Sequence, residues 1–337
     1  MKQIHIAWIG FQRRQLSMQR FFGFSVHFFP IQRRIPRVKK ALAYLKAGME
    51  TWRLLHAEKP DVVWVQVPQT PLLWVALLYR LCSSRTIRVV ADCHNAMFRA
   101  PWNRLPFTRQ VLNACNLVVV HNDSVVEQAI RDGVSESLVV VVEDPPADFS
   151  RVESPSCALP RPWVLFPASF AADEPIAELF EAARLLPDVS FLVTGNVRNL
   201  RQEELLLNKP VNLHLLGFVP NHEFDGLVMK ADAVLALTIH DGIQLSVCGE
   251  AVGAGRPLVV SDTTLLRRLY PVGSVFVKPT AADLAHGVTE ILGRGDVAAQ
   301  EMISFRIKTE QDYRDLRVPV VVSRLSIGNE NEVVARV

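Results

Sequence analysis

The chain has 337 residues, 49% of them apolar and 21% charged, with a formal net charge of +3 at neutral pH. That length suits two domains better than one core, and the apolar share excludes a disordered chain. Five scattered cysteines (Cys82, Cys93, Cys115, Cys157 and Cys248) form no C-x-x-C pair. They argue against a disulfide framework or a zinc site and fit a reducing compartment.

The first predicted strand, 4–10, is apolar but too short for a signal-peptide core, and Gln12-Arg13-Arg14 ends it. Its exit, Gly10-Phe11-Gln12, lacks the G-x-G-x-x-G spacing of a dinucleotide site, which disfavours a dehydrogenase. The first 60 residues hold 12 Lys/Arg against 2 Asp/Glu, and Arg13, Arg14, Arg20, Arg33 and Arg34 are interleaved with Phe21, Phe22, Phe24, Phe28 and Phe29. This mixture predicts a face for an acidic acceptor or an anionic membrane. The alternative is a solvated basic face with its aromatics in the core. A nucleic-acid partner is not expected, because no recognised module accompanies the basic segment.

Strands follow at 25–29, 62–66, 87–91, 117–121 and 138–142, with helices over 38–57, 71–81 and 124–132. The apolar helix 71–81 includes Arg80 and is far shorter than the roughly 20 residues that span a bilayer. Two strand exits are polar: Asp92-Cys93-His94-Asn95 and His121-Asn122-Asp123-Ser124, where Asp123 or Ser124 is the expected helix cap. A proline-rich run without apolar periodicity, from Asp144-Pro145-Pro146 to Pro162, predicts a linker. The expected division is a first domain over 1–145, a linker over 146–162, a second domain over 163–296, and a helix and tail over 297–337.

After the linker, strands are expected at 163–167, 190–194, 212–216, 233–237, 258–260 and 274–277, with helices at 281–292 and 297–313. Alternation of short β-branched runs with amphipathic stretches predicts α/β layers with parallel sheets. Ligands of such sheets bind beyond the carboxyl ends of the strands. The second domain's polar exits there are Ser169 to Glu174, Gly195-Asn196 and His240 to Gln244. The last is the most informative, because ADAVLALTIHDGIQLSVCGEAVGAGRPLVVSD (231–262) reads as strand, loop, helix, turn, strand. Amides opening such a helix are unpaired and favour an anion. Glu250, further along it, could accept from the hydroxyls of a nucleotide ribose. An ordinary βαβ unit with a surface loop is the competing reading.

The two-domain pattern, with EAVGAGRPLVVSD in its second half, resembles a GT-B glycosyltransferase of the glycosyltransferase family 4 type. The resemblance implies an α/β fold of two Rossmann-like domains with parallel sheets facing across a cleft. It implies that Glu250 binds the donor ribose and that the loop and helix start from Gly242 through Gln244 and Leu245 to Ser246 holds the diphosphate. Ser169, Gly195 and Asn196 join that donor set. The chain departs from the family twice. The first glutamate of the E-x7-E motif would fall on Gly242, so either Asp241 stands in through a one-residue shift or that function is lost. The Arg and Lys that neutralise the donor diphosphate are replaced by Ser169, Asp173 and Glu174. In that turn, and in Asp92-Cys93-His94-Asn95, the chain is similar to the chitobiosyl-diphospholipid β-mannosyltransferases.

The resemblance therefore implies transfer of a mannose- or glucose-type hexose from a nucleotide sugar to a saccharide or lipid-linked saccharide. No Asp-x-Asp motif is present, and neither metal nor cofactor is expected. His94 and Asp92 are the candidate bases, with Asp241 the third catalytic candidate. The implied setting is cytoplasmic, with peripheral contact to the inner face of the plasma membrane. A nucleotide-sugar epimerase and a non-catalytic saccharide- or nucleotide-binding homologue remain the alternatives.

Overall fold

The computed structural model describes residues 1–32, 35–149, 161–200 and 203–334. Their contacts divide the chain into two units, 1–145 with 312–337, and 146–311.

In the first unit the order is β1 (Gln3–Ala7), α1 (Arg13–Phe22), β2 (Ser25–Phe28), α2 (Arg37–Glu58), β3 (Val62–Val67), α3 (Thr70–Cys82), β4 (Arg88–Cys93), α4 (Thr108–Asn113), β5 (Leu117–Val120), α5 (Asp123–Arg131) and β6 (Val139–Val141). All strand pairings are parallel, in the order β2-β1-β3-β4-β5-β6. β3 reads Val-Val-Trp-Val-Gln-Val and is buried throughout, as expected of a central parallel strand covered on both faces. One face carries Ile4, Val63, Val89 and Val118. The other carries Phe22, Phe24, Trp64 and Val119. α1 stops at Gly23, whose φ of 69° is the left-handed cap conformation that glycine adopts without strain. α5 is capped by Asn122, whose side chain accepts from the Val125 amide at 3.2 Å, rather than by Asp123 or Ser124. Ser124 Oγ instead donates to Asn122 Oδ1.

The second unit contains β7 (Trp163–Pro167), α6 (Ile176–Leu185), β8 (Ser190–Thr194), α7 (Glu203–Leu207), β9 (Leu213–Gly217), α8 (Asn221–Lys230), β10 (Ala233–Ala236), α9 (Ser246–Ala254), β11 (Leu258–Ser261), α10 (Thr264–Leu269), β12 (Ser274–Val277) and α11 (Ala281–Asp312). Its parallel sheet runs β12-β11-β10-β7-β8-β9. Cores lie on both faces, around Phe180 and Phe191 on one and Trp163 and Val260 on the other. Within the stretch expected as linker, Ala147 and Phe149 are buried in the second core, and the Ala147 amide donates to the Gly249 carbonyl. Residues 150–160 of that stretch lie outside the described residues.

α11 is kinked at Gly295, and the division between units falls after Gln311, not at 296. A π-helical turn (Tyr313–Arg317) leads into α12 (Val318–Val334), a helix within the stretch expected as tail. Tyr313, Val321 and Leu325 are buried in the first unit's core with Phe22 and Trp64. Among the described residues no helix is long and apolar enough to cross a membrane.

Candidate active site

In a parallel sheet, ligands bind beyond the carboxyl ends of the strands, where the strand order reverses. That point lies between β1 and β3 in the first unit and between β7 and β10 in the second.

In the second unit the loops after β7 and β10 are tied together. Thr238 Oγ1 donates to Asp173 Oδ2 at 3.0 Å, and the Ile239 amide donates to the Asp173 carbonyl at 2.8 Å. Asp173 thus locks two loops together. Ser169 is already engaged: its amide and its hydroxyl both donate to the Glu174 carboxylate, at 3.0 and 2.7 Å, and the Phe170 amide joins at 2.8 Å. Phe170 has a φ of 54°, a left-handed conformation that this carboxylate clamps. Gly195 has a structural reason to be glycine. Its φ is 124°, and a Cβ there would meet the Ala168 carbonyl oxygen at 2.0 Å. Asn196 accepts from the Arg198 amide at 3.2 Å and caps a short turn.

Asp241, expected to stand in for a sugar-contacting glutamate, is engaged by backbone amides of its own unit. Its carboxylate accepts from the Gly242 amide at 2.6 Å and from the first amides of α10, Thr264 at 3.0 Å and Leu265 at 3.2 Å. Burial works against the charge, but bonds from Thr264, Leu265 and Gly242 outweigh it and lower the pKa. Asp241 is a cap that holds the loop to α10. Gly242, with a φ of 75°, turns the chain beside it.

Gln244 Nε2 donates to the Tyr270 hydroxyl at 3.2 Å, while its buried Oε1 has no partner among the described residues. Leu245 precedes α9 in extended conformation, and no side chain caps that helix. Ser246 opens it and is exposed. Glu250 lies one turn on, on the same helix face, and is 8% exposed.

In the first unit the expected roles separate. Asp92, the penultimate residue of β4, is 1% exposed and fully partnered. Arg14 Nη2 donates to Asp92 Oδ1 at 3.0 Å, Arg14 Nε to the same oxygen at 3.1 Å, and His5 Nε2 lies 3.3 Å from Oδ2. Burial alone would raise the Asp92 pKa, but Arg14 and then His5 outweigh it and hold the carboxyl far below the usual range. A carboxylate so deeply stabilised is a poor proton acceptor, so Asp92 is not a base.

Arg14 itself is 4% exposed and also pairs with Asp144 and with the Val142 carbonyl at 2.9 Å, which removes it from any acceptor or membrane face. Phe22 and Phe24 are likewise core residues. Arg20 is exposed and stacks on Phe21, and Arg13 stands half-buried over Phe11. Arg33 and Arg34 lie outside the described residues.

His94 follows β4 and is exposed. Its Nδ1 accepts from the Ala96 amide at 3.2 Å. A neutral ring making that bond carries its proton on Nε2, so it presents a donor there and not a base. Its ring meets His121 edge-on at 5.8 Å. His121 is buried beside Asp144, and burial, reinforced by Arg14, pulls its pKa down to about 4.

Sequence reasoning missed a cavity of about 620 Å³ in the first unit, walled by Trp8, Tyr44 and Trp102 and edged by His94. Gln12, Gln66 and Gln69 also line it, and they come from the exits of β1 and β3, the switch point itself. The available signal was a glutamine in an otherwise apolar buried strand, Val-Val-Trp-Val-Gln-Val.

Residues 12–145 match the family described as glycosyl transferase 4-like domain. No curated protein sequence matches the chain. Among solved structures, Anabaena Alr3699/HepE in complex with UDP is similar over 97% of this chain and 100% of its own, at 16% identity and a TM-score of 0.68. Sucrose-phosphate synthase from Thermosynechococcus elongatus is similar over the whole of both chains, at 17% identity and a TM-score of 0.67. The lipopolysaccharide outer core galactosyltransferase WaaB is similar over 93% of this chain and 98% of its own, at 14% identity and a TM-score of 0.56. These likenesses show the GT-B fold, and with the family match they support a transferase. Residues 12–145 are thus similar to a glycosyl transferase 4-like domain, within a GT-B architecture of two Rossmann-like units.

Proposed function

We propose that the chain transfers a mannose- or glucose-type hexose from a nucleotide sugar to a saccharide or lipid-linked saccharide acceptor, without a metal ion. The observation that carries this reading is the second unit's switch point, where an uncapped α9 starts at exposed Ser246 with Glu250 one turn further on. Amides at such a start favour a diphosphate and stabilise the charge that develops as it departs. Glu250 accepts from the ribose hydroxyls. His94, with its proton on Nε2, orients the acceptor as a hydrogen-bond donor. The match of residues 12–145 to the glycosyl transferase 4-like domain favours this class over an epimerase.

Peripheral membrane contact belongs to the same proposal, on different residues from those first singled out. Leu42, Leu45 and Leu78 on α2 and α3 are 60%, 61% and 54% exposed, beside exposed Lys39, Lys46 and Arg53. Apolar anchors among cations suit an anionic bilayer surface.

The test is a thermal-shift panel of UDP-, GDP-, ADP- and dTDP-sugars. One base should raise Tm, by the equivalent of about 2.7 kcal/mol at a hundredfold excess over Kd. Glu250→Ala should abolish that shift while the unliganded protein still melts cooperatively. A panel without any shift, or an unchanged shift in Glu250→Ala, sinks the proposal. Incubation with donor alone identifies an epimerase if the sugar is changed without an acceptor.

A further inference from the structure

Helices α2 and α3 are apolar on two sides. Ala47 and Leu55 of α2, with Leu73 and Ala76 of α3, are buried in the core with Ile4 and Val63. At 3.6 residues per turn, Leu42, Leu45 and Met49 fall on one outward stripe of α2, and all three are exposed. Trp74, Leu78 and Leu81 repeat that pattern on α3 and are exposed as well. Scattered apolar residues on a surface need no explanation, but two stripes beside one groove mark an interaction site.

The groove between the helices measures about 510 Å³. Tyr44, Gly48 and Trp52 wall it from α2, and Trp74 and Leu78 from α3. No charged side chain is among the described lining residues, and the Trp8 indole N–H, also in the lining, already donates to Thr51 Oγ1 at 2.9 Å. A peptide laid there would leave backbone amides unpaired, whereas a hydrocarbon chain has none to leave. Tyr and Trp, apolar rings with polar tips, are the residues enriched where hydrocarbon meets water. Gly48 keeps the groove open, since a Cβ there would already meet Val75 Cγ2 at 3.5 Å.

Charge fixes the kind of chain. Lys39, Lys46 and Arg53 form an exposed row on the flank of the α2 stripe away from Gly48. Trp8 and Tyr44 are shared with the 620 Å³ cavity, and Lys40 stands in that cavity's lining. The groove thus has a cationic end and an apolar remainder, the profile of an amphiphile with an anionic head.

We propose that the groove between α2 and α3 holds one hydrocarbon chain of an anionic membrane lipid, with the head group turned towards Lys40. The inference rests on the peripheral contact in the transferase reading and deepens it, because one chain leaves the bilayer and enters the protein.

The test titrates octyl, decyl and dodecyl phosphate, each below its micellar concentration, into the full chain and follows tryptophan fluorescence. Each added methylene should tighten binding about 4-fold until the groove is filled. Gly48→Leu plugs the groove and should weaken dodecyl phosphate by at least about 10-fold. Trp74→Ala removes one wall and should weaken it too, with Trp8 and Trp52 still reporting, which covers the case of a misfolded Gly48→Leu. Leu42→Ser combined with Leu81→Ser lies outside the lining. That pair should loosen binding to phosphatidylglycerol vesicles and leave dodecyl phosphate bound.

Affinity independent of chain length overturns the proposal, as does undiminished dodecyl phosphate binding in both groove variants. A concentration-dependent dimer that Gly48→Leu disrupts also overturns it, by giving the groove to a second copy of the chain. Vesicle binding without alkyl phosphate binding refutes the groove and leaves the peripheral contact standing. Nucleotide-sugar shifts measured on the same samples keep the transferase reading apart: chain binding without any such shift leaves a lipid site and removes the transferase.

Discussion

His121 makes the first unit acid-sensitive in a defined window. The side chain is buried, 3.5 Å from Asp144 and in ring contact with His94, with Arg14 and Asp92 close enough to act on its charge. Burial, then Arg14, lower its pKa from 6.5 to about 4, against the opposing pull of Asp144 and Asp92. Below pH 6.5 the unfolded chain takes up a proton that the folded one refuses. Stability contributed by the neutral ring is thus complete above pH 6.5 and is lost as pH falls towards 4.

Over that span the loss is about 3 kcal/mol, a large part of a typical domain's 5–15 kcal/mol. His5, whose pKa burial also lowers, adds loss of the same sign. Asp92, depressed instead from 3.8, gives up its contribution only below that pH and stays outside the window. Urea denaturation between pH 7 and 4, read by hydrogen exchange of β5, should show the decline in wild type and a shallower one in His121→Asn. Equal slopes in the two proteins refute the reasoning.

Arg14→Met should cost about 3–5 kcal/mol in the same urea assay, because it strands the Asp92 carboxylate in the core. Wild-type stability in that variant would show the ion pair to be dispensable. Asp241→Ala should cost about 1 kcal/mol as a lost cap on α10, and should leave turnover per folded molecule within a few-fold of wild type. A collapse of kcat at full stability would restore it as a catalytic group. His94→Ala should lower kcat/KM without removing an acid limb from the pH–rate profile, since the ring acts as donor. Disappearance of an acid limb in that variant would make His94 a base after all.

Strands were the most legible part of the sequence, because each central one is a β-branched run buried on both faces; β7, β8 and β12 end where the pattern ends. Alternation of these runs with helices also carried the fold class. Roles of polar residues were less legible. Asp92, Asp173 and Asp241 sit at strand exits, where a ligand-binding and a loop-fixing carboxylate look alike in sequence. Only the direction of neighbouring donors distinguishes them: Arg14 lies 78 residues from Asp92, and the α10 amides lie 23 and 24 residues from Asp241. The basic and aromatic residues of the first 30 positions misled for a related reason. Arg14 and Phe22 are both drawn inward, and charge composition does not record which arginine finds a buried carboxylate. Gln66 was passed over because a single polar residue inside an apolar run carries no periodic signal.

Return of the chain's final helices to the first core has a consequence for biosynthesis. Tyr313, Val321 and Leu325 seal a layer whose other members all lie within the first 142 residues. A ribosome adding about 5–20 residues per second needs roughly ten to thirty seconds to translate the intervening second unit. Throughout that delay the nascent N-terminal sheet leaves Phe22 and Trp64 uncovered on one side, a surface for a holdase until the last turns emerge.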